Sequence, residues 1–244
     1  MPDTNPAAYR RPDPATQPAY DSPGYGSTRL RHPTQPLLRM PHTLTETRAP
    51  IMSPSAYPAT ADMTKLAHGK AAMGERIVVA GRVLDEDGRP VRGAMIEIWQ
   101  ANAAGRYNHP GDTHDAPLDP DFIGRARVFA DDEGRYQFTS IRPGAYPWHN
   151  HHNAWRPLHI HYSLFGHGFA QRMITQMYFP GDPLLEFDPI WHATPDAAAR
   201  DRLIAKFDLD VTQPDIALGY RFDMVLRGPA ATPFEDADHH DGDH

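Results

Sequence analysis

The stretch IVVAGRVLDEDGRPVRGAMIEIW, from Ile77 to Trp99, sets two short apolar runs on either side of a turn, and its texture decides the fold class. Ile77 to Leu84 is rich in β-branched residues and reads as a strand. Asp85-Glu86-Asp87-Gly88 is turn chemistry, because short acidic side chains bond their own backbone and glycine accepts positive φ. Ala94 to Trp99 reads as the next strand. The same texture recurs downstream. Ala126 to Phe129 and Tyr136 to Phe138 flank Asp131-Asp132-Glu133-Gly134 and are expected to pair as a hairpin. Strands are expected at His159 to Leu164 and Arg172 to Tyr178, and a last one alternates apolar and polar residues from Tyr220 to Leu226. Short strands divided by turns predict an all-β fold: a β-sandwich core of antiparallel strands with long loops and one or two short helices. The clearest helix signal has Thr194 as N-cap, Pro195 at the first helical position, Asp196 in the first turn and then AAARDRLIAKF.

Outside this region the composition changes. Twelve of the 26 prolines fall between Pro2 and Pro58. Proline removes a donor and biases its predecessor toward extended backbone, so helices and central strands are not expected there. Residues 1–60 read as an extended proline-rich arm, wrapping a partner or disordered, with Tyr20, Tyr25, Leu30, Leu37 and Leu38 available for burial. Residues 61–234 form the β-sandwich domain, and 235–244 a flexible acidic and histidine-bearing tail whose His239, His240 and His244 read as solvated.

The chain has 244 residues, and 24 Lys and Arg stand against 31 Asp and Glu, a net charge of -7. That balance argues against nucleic acid or an anionic membrane as partner. There are no cysteines, so thiolate metal sites, disulfides and cysteine nucleophiles are excluded. With no apolar leader and no run long enough to span a bilayer, the expectation is a soluble, cytoplasmic protein.

The chemistry concentrates in GAYPWHNHHNAWRPLHIHY, Gly144 to Tyr162. His159 and His161 lie two apart on a predicted strand, so both imidazoles share one face while Ile160 packs behind. Two imidazoles do not choose a metal. The candidate companions are Tyr146, after a Pro-Gly turn, and Tyr107, in the long loop from Ala101 to about Phe122. A phenolate is a hard anionic donor, and a set of two histidines and two tyrosines suits Fe(III) better than Zn(II) or Fe(II).

Two blocks carry a family resemblance: GRVLDEDGRPVRGAMIEIWQANAAGRY, ending on Tyr107, and PGAYPWHNHHNAWRPLHIHYSLFG, followed by QRMITQMYFPGDPL. From roughly Ile77 to Phe234 the chain resembles the intradiol ring-cleavage dioxygenases, in particular the β subunits of their protocatechuate-cleaving branch. The resemblance implies Tyr107, Tyr146, His159 and His161 as ligands of a non-haem Fe(3+), with no nucleotide, haem or flavin. It implies that Tyr146 leaves the metal and takes a substrate proton, that Arg156 stabilises negative charge developing on the substrate, and that Gln176 is a hydrogen-bonding neighbour in the pocket. Trp148 and Ile190 are implied as pocket walls, and Tyr25 as a substrate contact from the arm. The implied partners are an α subunit in a large αβ oligomer, the substrate protocatechuate and O2, with ring opening between the hydroxyl-bearing carbons to 3-carboxy-cis,cis-muconate. The proline-rich N-terminus, without helical periodicity, favours this branch over catechol or hydroxyquinol dioxygenases. The segment WHNHHNAW departs from the family pattern through His149, His151 and His152, read as a plain loop. The first block by itself also resembles transthyretin-like and carboxypeptidase-regulatory-like β-sandwich modules, a non-enzyme alternative that leaves the histidine pair and Arg156 unexplained.

Overall fold

The computed structural model describes residues 15–35, 53–64, 70–148, 155–165 and 172–234. In chain order the strands are β1 (Arg76–Leu84), β2 (Met95–Trp99), β3 (Arg125–Phe129), β4 (Arg135–Ile141), β5 (Tyr146–Pro147), β6 (Trp155–Arg156), β7 (His159–Phe165), β8 (Arg172–Tyr178), β9 (Lys206–Phe207), β10 (Leu218–Arg221) and β11 (Met224–Val225). The helices are single turns or little more: α1 (Thr28–Arg31), α2 (Pro189–His192), α3 (Ala197–Asp201) and a 3-10 turn at Pro183–Phe187. None of the described helices is long and apolar enough to cross a membrane.

Two sheets face each other. One has β1 at its centre, between β4 on one side and β10 and β11 on the other, with β9 beyond β10; the second runs β3-β2-β7-β8. The apolar side chains of both meet in one core that includes Val79, Ile96, Ile98, Phe138, Ile160, Tyr162, Met177 and Phe222. β1 is the longest strand and is buried over most of its length, as its apolar run and central position require. Pairing is antiparallel except that β10 and β11 run parallel to β1. The predicted last strand is therefore split in two at Phe222 and Asp223, although its alternation holds: Tyr220, Phe222 and Met224 are buried and Asp223 is exposed.

The expected hairpin across Gly134 does not form. β3 pairs with β2 and β4 with β1, so the two runs belong to different sheets. The turn itself is as predicted, with Gly134 N donating to Asp131 O at 3.0 Å, but turn chemistry fixes a chain reversal and not the sheet to which the chain returns. The turn at Gly88 likewise crosses from one sheet to the other. The late helix is also shorter than its sequence suggested. Asp196, and not Thr194, is the N-cap, accepting from Ala199 N at 2.7 Å, and the chain leaves the helix at Arg202 because Leu203 and Ile204 are drawn down to β8, where Tyr178 N donates to Leu203 O. In the arm, α1 forms between Pro23 and Pro33, where no proline intervenes. Tyr25 is buried, but Tyr20 is exposed and Leu30 almost fully so; Leu37, Leu38 and the three tail histidines lie outside the described residues.

Candidate metal and catalytic site

The second sheet turns its other face to the site. Ile160, Tyr162 and Leu164 of β7 point into the core, so His159 and His161 point out, beside Tyr178 and Gln176, their register partners on β8. Four side chains converge there. Tyr146 Oη lies 3.3 Å from His159 Nε2, His159 Nε2 lies 3.1 Å from His161 Nε2, and His161 Nε2 lies 3.1 Å from Tyr107 Oη. His159 Nδ1 donates to the Pro157 carbonyl at 2.6 Å, which leaves the lone pair of a neutral ring on Nε2, aimed at the other three groups. The His161 ring stacks on Trp99, its register partner on β2, with centroids 4.8 Å apart and planes 2° from parallel.

Burial decides the protonation of this cluster. It pushes the Tyr107 hydroxyl well above the usual phenol range, with Tyr146 adding to the effect, and raises Tyr146 against the opposing charge of Arg156. Burial and then Arg156 hold His159 well below the usual imidazole range. Tyr107, Tyr146 and His159 are thus neutral, and the two phenols and two imidazoles lie in mutual contact. Among the described residues no group of three or more His, Cys, Asp or Glu could hold a metal, so a cation here needs the tyrosine oxygens. The donor set fits a highly charged metal ion, whose field displaces the phenol protons.

Backbone geometry sets the spacing of the two tyrosines. Asn102 is buried and organises the loop that carries Tyr107: its Oδ1 accepts from Ala104 N and Arg106 N, its Nδ2 donates to Pro117 O, and its carbonyl accepts from both Gly105 N and Gly144 N. That last pair ties the Tyr107 loop to the one that leads into Tyr146. The contact is close enough to exclude a side chain on either loop. A Cβ on Gly105, where φ is +78°, would lie 2.1 Å from Ala145 O, and a Cβ on Gly144 would lie 2.5 Å from Ala103 O. Asp112 adds a second anchor by accepting from Tyr107 N at 2.7 Å. Tyr146 in turn pairs with Arg156 across the β5-β6 ladder.

Arg156 is 3% exposed. Its Nη2 donates to Gln176 Oε1, to Tyr178 Oη at 3.3 Å and to Asp188 Oδ2 at 3.3 Å, while Nε lies 3.2 Å from Asp188 Oδ1. The guanidinium sits over the Trp148 ring at 5.3 Å, and Trp148 meets Tyr25 of the arm edge-on at 5.4 Å. Ile190 stands apart from the histidines and tyrosines. It is on α2, lining a small cleft with Gln176, Tyr178 and Pro18 of the arm. The structure thus gathers Tyr107, Tyr146, His159 and His161 in one cluster, joins it through Arg156 to Gln176 and Trp148, and brings Tyr25 to Trp148. His149, His151 and His152 lie outside the described residues.

Trp99, Asn102, Asp112 and Asp188 were not legible as site residues. Trp99 shares the parity of the outward face of β2, and Asp188 precedes Pro189 in an N-cap pattern, but neither signal points to a site without the register and the loop packing.

A sequence model described as "Dioxygenase" matches residues 48–228, and one described as "Protocatechuate 3,4-dioxygenase beta subunit N terminal" matches residues 9–43. The protocatechuate 3,4-dioxygenase beta chain of Burkholderia cepacia is 57% identical over 222 residues, covering 90% of this chain and 94% of its own. The alpha chain from the same organism is 32% identical, covering 68% of this chain and 79% of its own. Among solved structures, catechol 1,2-dioxygenase from Pseudomonas arvilla C-1 superposes with a TM-score of 0.51 at 25% identity, over 75% of this chain and 58% of that one. The arm and the sandwich are therefore matched together, and the chain belongs to the intradiol ring-cleavage dioxygenases, among the protocatechuate 3,4-dioxygenase β chains.

Proposed function

We propose that this chain is the iron-bearing subunit of an enzyme that opens the ring of protocatechuate with O2, between the two hydroxyl-bearing carbons, to give 3-carboxy-cis,cis-muconate. Membership of the family implies a non-haem iron, and the relationship to both a beta and an alpha chain implies an αβ assembly. The finer reading is that the iron is Fe(3+), held by Tyr107, Tyr146, His159 and His161. The observation that carries it is the convergence of these two phenols and two imidazoles in a buried cluster next to a buried guanidinium.

The chemistry that bound ferric iron supplies is chelation of the catechol oxygens and withdrawal of electron density from the ring, which readies a ring carbon for O2. The protein's groups do the rest. A catechol must lose two protons to bind a metal as a dianion; Tyr146 Oη, whose hold on a proton is strengthened by burial, would accept one, and a solvent-derived hydroxide would accept the other. Pro157 O fixes the tautomer of His159, and Trp99 fixes the ring plane of His161. Arg156 sets a positive charge beside the reacting ring, held in place by Gln176 and roofed by Trp148. Residues 61–234 are the catalytic unit, and Tyr25 of the arm reaches it by meeting Trp148 edge-on.

The test is oxygen uptake by the chain co-purified with its α partner. Protocatechuate should be consumed with matching O2 uptake and catechol far more slowly. A preference for catechol would shift the substrate assignment, and no uptake with either would refute the activity.

A further inference from the structure

Asp188 is fully buried, 32 residues along the chain from Arg156, and one carboxylate serves three elements. Oδ1 lies 3.2 Å from Arg156 Nε and accepts from Ile190 N at 3.2 Å; Oδ2 accepts from Arg156 Nη2 at 3.3 Å and from Tyr178 Oη at 3.1 Å. It is also the N-cap of α2, which bears Ile190 and Trp191, and Trp191 packs edge-on against Tyr178 at 5.3 Å. Burying an ion pair is a poor way to stabilise a fold, because desolvation offsets most of the attraction. A pair kept at such a place therefore asks for a role in geometry.

We infer that Asp188 is a positioning residue for the ring-opening reaction: it fixes the orientation of the Arg156 guanidinium. Three observations agree. The carboxylate faces one edge of the guanidinium while Gln176 and Tyr178 take Nη2, so rotation of the head group breaks several bonds at once. The Trp148 ring covers a face of the same group. The α2 cap and the Arg156 Nε contact share Oδ1, so a shift of α2 moves the cation. Substrate charge then meets a cation whose geometry is set before binding. The inference rests on reading Arg156 as the electrostatic partner of the substrate.

The experiment is a double-mutant cycle in the iron-loaded αβ enzyme with Arg156→Gln, Asp188→Asn and both together, measuring kcat and KM for protocatechuate and the visible spectrum. Arg156→Gln is expected to lower kcat, and Asp188→Asn to lower it roughly tenfold to a hundredfold, on the scale of an ångström misplacement. The iron-tyrosinate spectrum should stay unchanged, and the double variant should be no slower than Arg156→Gln. Multiplying effects in the double variant would show that Asp188 acts independently of Arg156 and overturn the inference while leaving the role of Arg156 standing. Wild-type kcat in Arg156→Gln would overturn both. Should Asp188→Asn alone fail to fold, Asp188→Glu takes its place in the cycle with Arg156→Gln. Asp188→Glu, which keeps the charge and moves it by one methylene, is a second measurement: a lowered kcat at unchanged thermal stability supports the inference, and wild-type kcat contradicts it.

Discussion

Replacing Gly105 by alanine tests whether the close approach of two loops sets the spacing of the two tyrosines. The position has φ of +78°, and a Cβ there would lie 2.1 Å from the Ala145 carbonyl oxygen. An ordinary carbon-to-oxygen contact is about 3.3 Å, so the loops bearing Tyr107 and Tyr146 must part by roughly an ångström. Gly88 is the matched control, because its φ is +77° and a Cβ there would meet nothing within 4 Å. Both substitutions incur about 1–2 kcal/mol for a left-handed residue with a side chain. For a domain of this size that is a fall in Tm of about 2–8 °C. Only Gly105→Ala adds the clash. It should lose further stability and, through a misplaced Tyr107 or Tyr146, cost up to about a hundredfold in kcat/KM. Thermal melts, iron content per chain and steady-state oxygen uptake of the two variants provide the comparison. Equal Tm, equal iron and equal activity in Gly105→Ala and Gly88→Ala would show that the loop contact at Gly105 does not set the spacing of Tyr107 and Tyr146.

Three further outcomes follow from named contacts. Tyr136→Phe leaves the buried Phe222 carbonyl without the hydroxyl that now donates to it at 2.6 Å; it should cost about 1–3 kcal/mol in denaturant unfolding, with kcat unchanged. His161→Ala should lower iron affinity more than about tenfold, the scale seen for weaker perturbations around metal ligands, and retention of full iron on dialysis against a chelator would place the metal elsewhere. Asp131 is held below its ordinary value of 3.8, first by the Arg135 side chain and then by the Arg135 backbone N–H. Its folded pKa is therefore below the unfolded one, so its contribution is complete above the unfolded value and is lost as pH falls through the folded value. The Tm gap between wild type and Asp131→Asn should be largest near neutral pH and close below pH 3.8; a gap independent of pH would contradict this.

The shared face of His159 and His161 was legible because strand parity is local. With His159 and His161 two apart on a strand, a shared face follows whatever the sheet does. The ring of support was not legible, because each member reaches the site from far along the chain. Trp99 meets His161 through β2-β7 register, Asn102 joins Gly144 through a loop contact, and Asp188 meets Arg156 across 32 residues. The misassigned hairpin has the same cause. Asp131 and Gly134 dictate a tight reversal, but whether Phe138 then lies beside Val128 or across the core from it depends on β1, whose continuous apolar run takes β4 as its neighbour. The late helix shows tertiary packing overriding propensity: Leu203 and Ile204 leave a good helical pattern to reach Tyr178.

The measurement that bears most directly on the site is the visible absorption of the iron-loaded αβ protein beside its Tyr107→Phe and Tyr146→Phe variants. A tyrosinate-to-iron charge-transfer band is expected in the wild type, and a weaker, altered band in each variant. A colourless iron-loaded protein, or spectra that neither substitution changes, would contradict this.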